Sequence, residues 1–279
     1  MNIVLVCIAN FQEYILTNIE QLIKLEQKKI YVLTNQKLFN FFTKYESFIT
    51  LVNIDELNDS YNFYNNTSLN KSFRNGFWTF TSLRFFYIYE FMNKYKINDV
   101  IHLENDVLIY YNCNNLIDKL DKNKMYIPFD TFNRNIASII YIPSANIFKT
   151  ILDNYDLDIN DMENFSIIQK KTGLIENFPI FNNIQSENSE ISFVSRNFNI
   201  FNYIFDAAAI GQFLGGIDPL NNKNDTVGFV NVKCIIKYNL YKIEWLNINN
   251  IRRPFIQINN RLIPIFNLHI HCKNLLKFI

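Results

Sequence analysis

The stretch VIHLENDVLIYYN, residues 100–112, decides the fold and raises the chemical question of this chain. Apolar residues lead into Glu104-Asn105-Asp106, and apolar residues resume directly after them. A continuous apolar run is typical of a strand that is buried on both faces. We therefore expect Glu104 and Asp106 to stand where a buried strand ends.

The N-terminal segments predict a parallel sheet. Residues 2–10 form a β-branched apolar run, residues 11–27 repeat apolar residues at helical spacing, and residues 29–35 indicate a second strand. This order is a βαβ unit, which implies parallel strands joined by a right-handed crossover. In open α/β sheets the ligand crevice lies outside the carboxyl ends of the strands. Glu104 and Asp106 are therefore predicted at such a crevice.

Glu104 and Asp106 are candidate metal ligands. Two carboxylates this close repel each other, and a bound cation relieves the repulsion. Their hard oxygens suit Mg²⁺ or Mn²⁺, and a phosphate-bearing substrate commonly completes the coordination shell. The alternative is that both are solvated turn residues, because a motif this short also occurs by chance.

The histidines favour the metal hypothesis. The chain has three, and two of them, His269 and His271, form a His-x-His pattern on a predicted late strand. Side chains two residues apart on a strand share a face, so one imidazole can bind a metal while the other contacts phosphate or the sheet. By the same rule, His102 shares a face with Glu104 and Asp106 if the strand continues that far. The alternative for each is a structural histidine that only forms hydrogen bonds.

Composition bounds the class of protein. Hydrophobic residues make up 49% and charged residues 19% of the 279 residues, which excludes a disordered chain and predicts one compact unit. The formal net charge of +1 argues against a nucleic-acid partner. The four scattered cysteines argue for a reducing, cytoplasmic location. The apolar runs are too short for a signal peptide or a membrane span.

The order of these features resembles a glycosyltransferase of the GT-A fold. The resemblance rests on the βαβ unit, the Arg-bearing aromatic helix TSLRFFYIY (81–89), the Glu-x-Asp motif, the Asp-led helix FDAAAIGQFLGG (205–216) and the late strand that ends in histidine. It covers most of the chain. It implies an α/β, Rossmann-like single domain over residues 1–279, with a mixed, mainly parallel central sheet flanked by helices. Residues 1–112 would form the nucleotide-sugar-binding half and residues 113–279 the acceptor-binding half.

The resemblance implies a metal-dependent donor site. The family's DXD motif binds a divalent metal that bridges the diphosphate of a nucleotide-sugar, and Glu104-Asn105-Asp106 matches it with Glu in place of the first Asp. Asp106 and a late histidine would then hold Mn²⁺ or Mg²⁺. Spacing does not decide between His269 and His271, and we favour His271.

Further donor contacts follow from the same resemblance. Glu104 and Asn105 would contact the donor, with Glu104 near the ribose. Arg84 and Lys273 would lie near the sugar or the phosphates, although Arg84 has the alternative of snorkelling from an aromatic helix. The end of the first strand would hold the base and ribose mainly through backbone groups, at Ile8, Ala9 and Asn10.

The acceptor side is implied by the Asp-led helix. Asp206 resembles the family's carboxylate that faces the acceptor, which in an inverting enzyme is the general base. The alternative is a helix N-cap, and both roles can hold at once. Further contacts to the acceptor or the donor sugar are predicted at Asp130, Asn135, Gln212 and Asp218.

The predicted function is therefore glycosyl transfer. The donor would be UDP-N-acetylglucosamine or a UDP-hexose, and the acceptor a hydroxyl of a glycan or glycoprotein. A sugar nucleotidyltransferase is an alternative. Such an enzyme is expected to have a glycine-rich phosphate-binding loop after the first strand, but CIANFQEY (7–14) contains no glycine. A second alternative is a catalytically inactive GT-A-like binding protein. A chain this aromatic is also compatible with a homodimer.

Overall fold

The computed structural model describes residues 1–215, 231 and 233–279 of the chain. In chain order the strands are β1 (Asn2–Cys7), β2 (Ile30–Thr34), β3 (Ile49–Asn53), β4 (Val100–Leu103), β5 (Val107–Ile109), β6 (Met125–Thr131), β7 (Arg134–Asn135), β8 (Ile139–Ile142), β9 (Ile175–Phe178), β10 (Ile204–Phe205), β11 (Lys242–Ile248), β12 (Ile251–Ile258) and β13 (Arg261–His269). The helices are α1 (Tyr14–Lys24), α2 (Phe63–Asn66), α3 (Phe77–Tyr95), α4 (Ala145–Leu152), α5 (Asp161–Thr172), α6 (Ser189–Val194), α7 (Phe198–Phe201) and α8 (Gly211–Gly215). Short 3₁₀ helices cover Gln36–Tyr45, Ile54–Glu56, Phe73–Asn75, Cys113–Lys119, Tyr238–Leu240 and Leu275–Phe278.

The main sheet has the strand order β3-β2-β1-β4-β8-β6-β7, with β9 beside β6. Strands β3, β2, β1 and β4 are parallel neighbours. Strand β8 runs antiparallel between β4 and β6, and β9 is parallel to β6. This confirms the predicted α/β fold with a mixed, mainly parallel sheet flanked by helices.

The first βαβ unit forms as predicted, and hydrophobic burial holds it together. Every residue of β1 from Ile3 onward is buried. On α1, Ile15, Ile19 and Leu22 are fully buried, and their spacing forms one apolar stripe along the helix. Each such side chain contributes about 1.5–3 kcal/mol through removal of its apolar surface from water.

A second sheet brings the C-terminal part of the chain to the end of β4. Its strand order is β10-β13-β12-β11, and β5 pairs with β13. Strand β5 follows the Glu104-Asn105-Asp106 turn, and it runs antiparallel to β13 with Val107 opposite His269. The Ile270 N–H also donates to the Asp106 carbonyl at 2.9 Å. This pairing places His269 beside Asp106.

The turn that follows β4 is held by one buried amide from α1. The Asn18 side chain is fully buried, and its Nδ2 donates to the carbonyls of Glu104 at 3.3 Å, Asn105 at 3.2 Å and Val107 at 2.9 Å. Buried carbonyls that turn away from a sheet ladder need such a donor. Asn18 therefore fixes the backbone that carries both carboxylates.

The expected alternation of His102, Glu104 and Asp106 does not occur. Strand β4 ends at Leu103, so the period-two rule stops before Glu104. The His102 ring is buried, with Nδ1 at 3.0 Å from the Val4 carbonyl, and it packs edge-on against another ring of the core. Burial, and then the Arg84 charge, lower the pKa of His102 to about 3, so this histidine is a neutral structural residue.

Among the residues that the structure describes, no helix is both long enough and apolar enough to cross a bilayer.

We predict that Asn18→Ala destabilises the protein by about 1–3 kcal/mol, because it leaves buried carbonyls without a donor. Urea unfolding followed by circular dichroism measures this change. Asn93→Ala is the matched control, since Asn93 is exposed on α3, and its effect should stay within about 0.5 kcal/mol. Equal effects of the two substitutions would contradict the role given to Asn18.

Candidate metal and donor site

Glu104, Asp106 and His269 form a cluster that could hold a metal ion. One ligand atom from each residue lies within 4.8 Å of the other two. His269 Nε2 is 3.0 Å from Asp106 Oδ2 and 3.6 Å from Glu104 Oε2. Two carboxylates and one imidazole are a donor set that suits Mn²⁺ or Mg²⁺. The residues present therefore fit a divalent cation.

Opposite charges surround the Asp106 carboxylate, which is 5% exposed. His269 and Lys273 both contact its Oδ2. Burial raises the pKa of Asp106, but the charges of His269 and Lys273 outweigh burial and bring the pKa well below its usual value. Burial alone would lower the pKa of His269, but the negative charge of Asp106 outweighs burial, so the pKa of His269 is raised. The carboxylate is therefore ionised at neutral pH.

His269, and not His271, reaches the carboxylates, which corrects the preference stated from the sequence. Strand β13 ends at His269, so the two histidines do not alternate along one strand. The His271 ring lies against the His269 ring, with centroids 4.6 Å apart. Burial, and then the neighbouring His269 and Lys273 charges, lower the pKa of His271 to about 3. His271 Nε2 has no hydrogen-bond partner among the described residues.

Arg84 lies between two carboxylates and not in an open position beside a donor. Its guanidinium contacts Glu104, and Nη2 is 3.3 Å from Asp161 Oδ2 and from the Ala137 carbonyl. Arg84 is only 7% exposed. Bound in this way, it fixes the orientation of Glu104. Its predicted direct contact with the donor has no support in this geometry.

Asp161 was not predicted, although it belongs to this network. It is the first residue of α5, and Asn160 caps that helix through a hydrogen bond to the Glu163 N–H. Burial raises the pKa of Asp161 from 3.8 to about 6, while Arg84 opposes the rise. The Asn-x-x-Glu pattern at residues 160–163 is the sequence signal that could have located this helix start.

Asp206 is a structural carboxylate. It is fully buried, and Oδ1 accepts the N–H groups of Ala209 at 2.7 Å and Ile210 at 2.8 Å. Oδ2 accepts those of Gly211 at 2.8 Å and His269 at 3.0 Å. A base needs a free lone pair that faces its substrate. The geometry therefore agrees with the alternative of a cap and gives the predicted role of catalytic base no support.

Gly211 allows this cap to form. A Cβ at residue 211 would lie 2.0 Å from the His269 carbonyl oxygen, so a larger residue does not fit beside that backbone. Asp206 and Gly211 together hold the start of α8 against the end of β13. They thereby fix the backbone of His269.

Asp130 and Gln212, two of the other predicted sugar contacts, are buried and form hydrogen bonds within the protein. Asp130 is fully buried and pairs with Arg134, while Asn231 Nδ2 donates to its Oδ2 at 2.7 Å. Gln212 Nε2 donates to the Ala209 carbonyl at 3.2 Å, and Gln212 Oε1 accepts the Asn231 N–H. These contacts tie β6 to the start of α8.

Two further predicted sugar contacts have different outcomes. The fully buried Asn135 donates to the carbonyls of Asp161 at 3.2 Å and Met162 at 2.5 Å. It therefore ties β7 to the start of α5. Asp218 lies outside the described residues.

The end of β1 lies at the same carboxyl edge of the sheet. Ile8 and Ala9 are half-buried and Asn10 is exposed. Ala9 has the left-handed φ of 66°, and its N–H donates to Asn35 Oδ1 at 2.9 Å. Asn35 in turn donates to Asp55 at 2.7 Å. These hydrogen bonds preorganise the loop where the sequence predicts base and ribose contacts.

Asn105 has a structural role in addition to any contact with a donor. Its Nδ2 donates to the Val6 carbonyl at 2.8 Å and to Gln12 Oε1 at 2.6 Å. It therefore links the carboxylate turn to the end of β1.

Comparisons with known proteins give structural similarity at low sequence identity. No protein-family model and no curated protein matches the chain. The chain is similar to the glycosyltransferase GlyE of Streptococcus pneumoniae TIGR4, at 16% identity and a TM-score of 0.42, over 64% of this chain and 47% of that one. It is also similar to the bifunctional glycosyltransferase WbbM, at 11% identity and a TM-score of 0.44, over 72% and 43% of the two chains. A cytidylyltransferase of Leptospira borgpetersenii matches at 11% identity and a TM-score of 0.35, over 64% and 75%. The match spans less than half the length of GlyE and WbbM.

We predict that Asp206→Asn destabilises the protein by about 2–4 kcal/mol, because an amide cannot accept the N–H groups that surround both oxygens. Chemical unfolding measures the loss, and Asp118→Asn, on an exposed residue, is the matched control. A catalytic base would give the opposite pattern, with stability retained and activity lost.

We also predict a pH effect at Asp161. Its raised pKa means that the folded state binds the proton more tightly than the unfolded state, so its stabilising contribution is present at low pH and is lost as pH rises through about 6. The difference in unfolding free energy between wild type and Asp161→Asn should fall by roughly 1–3 kcal/mol from pH 4 to pH 7. A difference that grows with pH would instead mean that the ion pair with Arg84 dominates.

Proposed function

We propose that the protein is a divalent-metal-dependent glycosyltransferase. The donor is a UDP-sugar, either UDP-N-acetylglucosamine or a UDP-hexose, and the acceptor is a hydroxyl of a glycan or protein. The cluster of Glu104, Asp106 and His269 carries the proposal. It lies outside the carboxyl end of β4, the edge at which open α/β sheets bind their ligands.

The charges of the site suit a diphosphate leaving group. Asp106, His269 and Glu104 would hold a divalent cation, which supplies positive charge to the leaving diphosphate. Lys273 reaches the same Asp106 oxygen, so its ammonium group is positioned to donate to a phosphate oxygen nearby. Arg84 keeps Glu104 in one orientation through a buried ion pair.

The loop after β1 is proposed to hold the nucleoside. Ile8, Ala9 and Asn10 lie at the same edge of the sheet, where the Ala9 N–H donates to Asn35 and the Asn10 N–H donates to the Ile8 carbonyl, with Ala9 in a left-handed conformation. Asn105 connects the carboxylate turn to β1 through the Val6 carbonyl and to Gln12, just after the loop. Hydrogen bonds therefore link the proposed nucleoside and diphosphate positions.

Asp206 is proposed to act as a positioning residue. Its contact with the His269 N–H fixes the strand end from which the imidazole projects.

Two alternatives differ in what they predict. A sugar nucleotidyltransferase would bind a nucleoside triphosphate and a sugar phosphate, and the loop after β1 lacks the glycines that such phosphate binding favours. An inactive binding protein would bind UDP and metal without turnover. Hydrolysis or transfer from a UDP-sugar separates the proposed enzyme from the inactive protein.

We predict that UDP raises the melting temperature only when Mn²⁺ is present. At about 100 times the Kd, binding to the native state adds about 2.7 kcal/mol, which is easily seen by differential scanning fluorimetry. Asp106→Asn should abolish the shift, and Asp118→Asn should retain it. A full shift without metal, or with Asp106→Asn, would contradict a metal-bridged diphosphate.

A further inference from the structure

A pocket of about 390 Å³ lies beside α5 and the β6–β7 hairpin. Glu163, Ser166, Ile167 and Lys170 line it from α5, at the spacing of one face of a helix. The site described above uses the start of the same helix, where Asp161 contacts Arg84. Helix α5 therefore contributes residues both to this pocket and to the network around Arg84 and Glu104.

The pocket is rich in cationic groups. Arg134, Lys170 and Lys233 line it, against the single carboxylate of Glu163 among its lining residues. The buried Asp130 pairs with Arg134, so within the described part of the chain the two lysines supply most of the charge that is not already paired. Both lysines are exposed at the rim, and Lys170 is held toward the hairpin by a hydrogen bond to Asn133.

The remaining lining groups suit a sugar. Thr131 offers a hydroxyl group, and Ile167, which is 50% exposed, offers an apolar surface. A sugar ring presents hydroxyl groups at its edge and C–H groups on its faces. A volume of this size is at the small end of the range for ligand pockets, which suits a short saccharide.

The position of the pocket places it near the carboxyl edge of the sheet. Strand β6 is parallel to β9 and points the same way as β4, so its end at Thr131 lies at the edge that also carries Glu104. Asn135 on β7 connects the hairpin to α5 through the Asp161 and Met162 carbonyls. The segment that carries Lys233 is anchored to β6, since the Ile235 N–H donates to the Asp130 carbonyl at 3.1 Å.

We propose that this pocket binds an acidic sugar of the acceptor, one that carries a carboxylate or a phosphate group. Lys170 and Lys233 contact the anionic group, while Glu163 and Thr131 contact the sugar hydroxyls. This inference rests on the proposed function, because it names the class of acceptor for the same reaction.

Titration with simple sugars tests the proposal. Glucose, glucuronate and glucose 6-phosphate are titrated into the whole chain in the presence of saturating UDP and Mn²⁺, with binding followed by ligand-observed NMR. We expect an acidic sugar to bind about tenfold more tightly than glucose at low salt, with a smaller preference at high salt. The comparison of glucuronate with glucose 6-phosphate identifies which anionic group the pocket prefers. Equal binding of all three sugars would overturn the proposal.

Lys170 and Lys171 are adjacent on α5, and only Lys170 lines the pocket, so they provide a matched pair of variants. Lys170→Gln and Lys233→Gln should each weaken binding of the acidic sugar about three- to fivefold, as expected for one solvent-screened ion pair. Lys171→Gln removes the same charge from an exposed residue that does not line the pocket, and it should leave binding unchanged. If Lys170→Gln and Lys171→Gln weakened binding of the acidic sugar equally, the cause would be the general positive charge of the surface. That result would overturn the assignment of the pocket.

The shift in melting temperature caused by UDP distinguishes failure of the acidic-acceptor proposal from failure of the proposed function. If UDP and Mn²⁺ stabilise the protein but all three sugars bind alike, the acidic acceptor is wrong and the proposed donor site stands. If the acidic sugar binds through Lys170 but UDP gives no shift, the pocket stands as an anionic-sugar site and its role as an acceptor site is overturned.

Discussion

The pairing of β5 with β13 is the constraint on which the site depends. Residues 107–109 come directly after the carboxylate turn, and they pair with the last residues of a strand more than 150 positions later. Val107 opposite His269 leaves the imidazole beside Asp106, and a shift by one residue would turn that side chain to the other face. The candidate metal ligands are therefore brought together by backbone hydrogen bonds between distant parts of the chain.

Buried polar groups then make that register rigid. Asp206 accepts four backbone N–H groups, including that of His269, and Asn18 donates to the carbonyls of the carboxylate turn. Arg84 fixes Glu104 from the opposite side, with Asp161 as its second partner. Burying any of these polar groups without a hydrogen-bond partner costs free energy, and pairing removes most of that cost. The set therefore favours a single arrangement of the backbone. Such preorganisation is what a site for a multiply charged ligand requires.

Local patterns predicted the fold better than they predicted the site. The apolar run of β1 and the helical spacing of α1 are local signals, and they gave the parallel sheet correctly. The position at which a strand ends is not a local signal. The period-two rule grouped His102 with the carboxylates only if the strand continued, and β4 ends at Leu103; β13 ends at His269, so the rule also did not separate His269 from His271. Residue type alone could not distinguish a buried, fully hydrogen-bonded aspartate from a solvent-facing base, which is why the cap and the base at Asp206 could not be separated from the sequence.

The charges of the site explain how it can be stable both before and after a ligand arrives. Two carboxylates within a few ångströms would repel each other, yet Arg84 is paired with Glu104, while Lys273 and His269 are paired with Asp106. In the proposed function, Asp106, His269 and Glu104 would hold the cation, and Lys273, which reaches the same Asp106 oxygen, would donate to a phosphate oxygen instead. Arg84 is too deeply buried, and too fully committed to Glu104 and Asp161, to move in the same way. The network therefore has a deeply buried part on the α3 side, around Arg84, and a more accessible part at the end of β13, where the Lys273 side chain is 24% exposed; we expect the proposed ligand to rearrange only the second part.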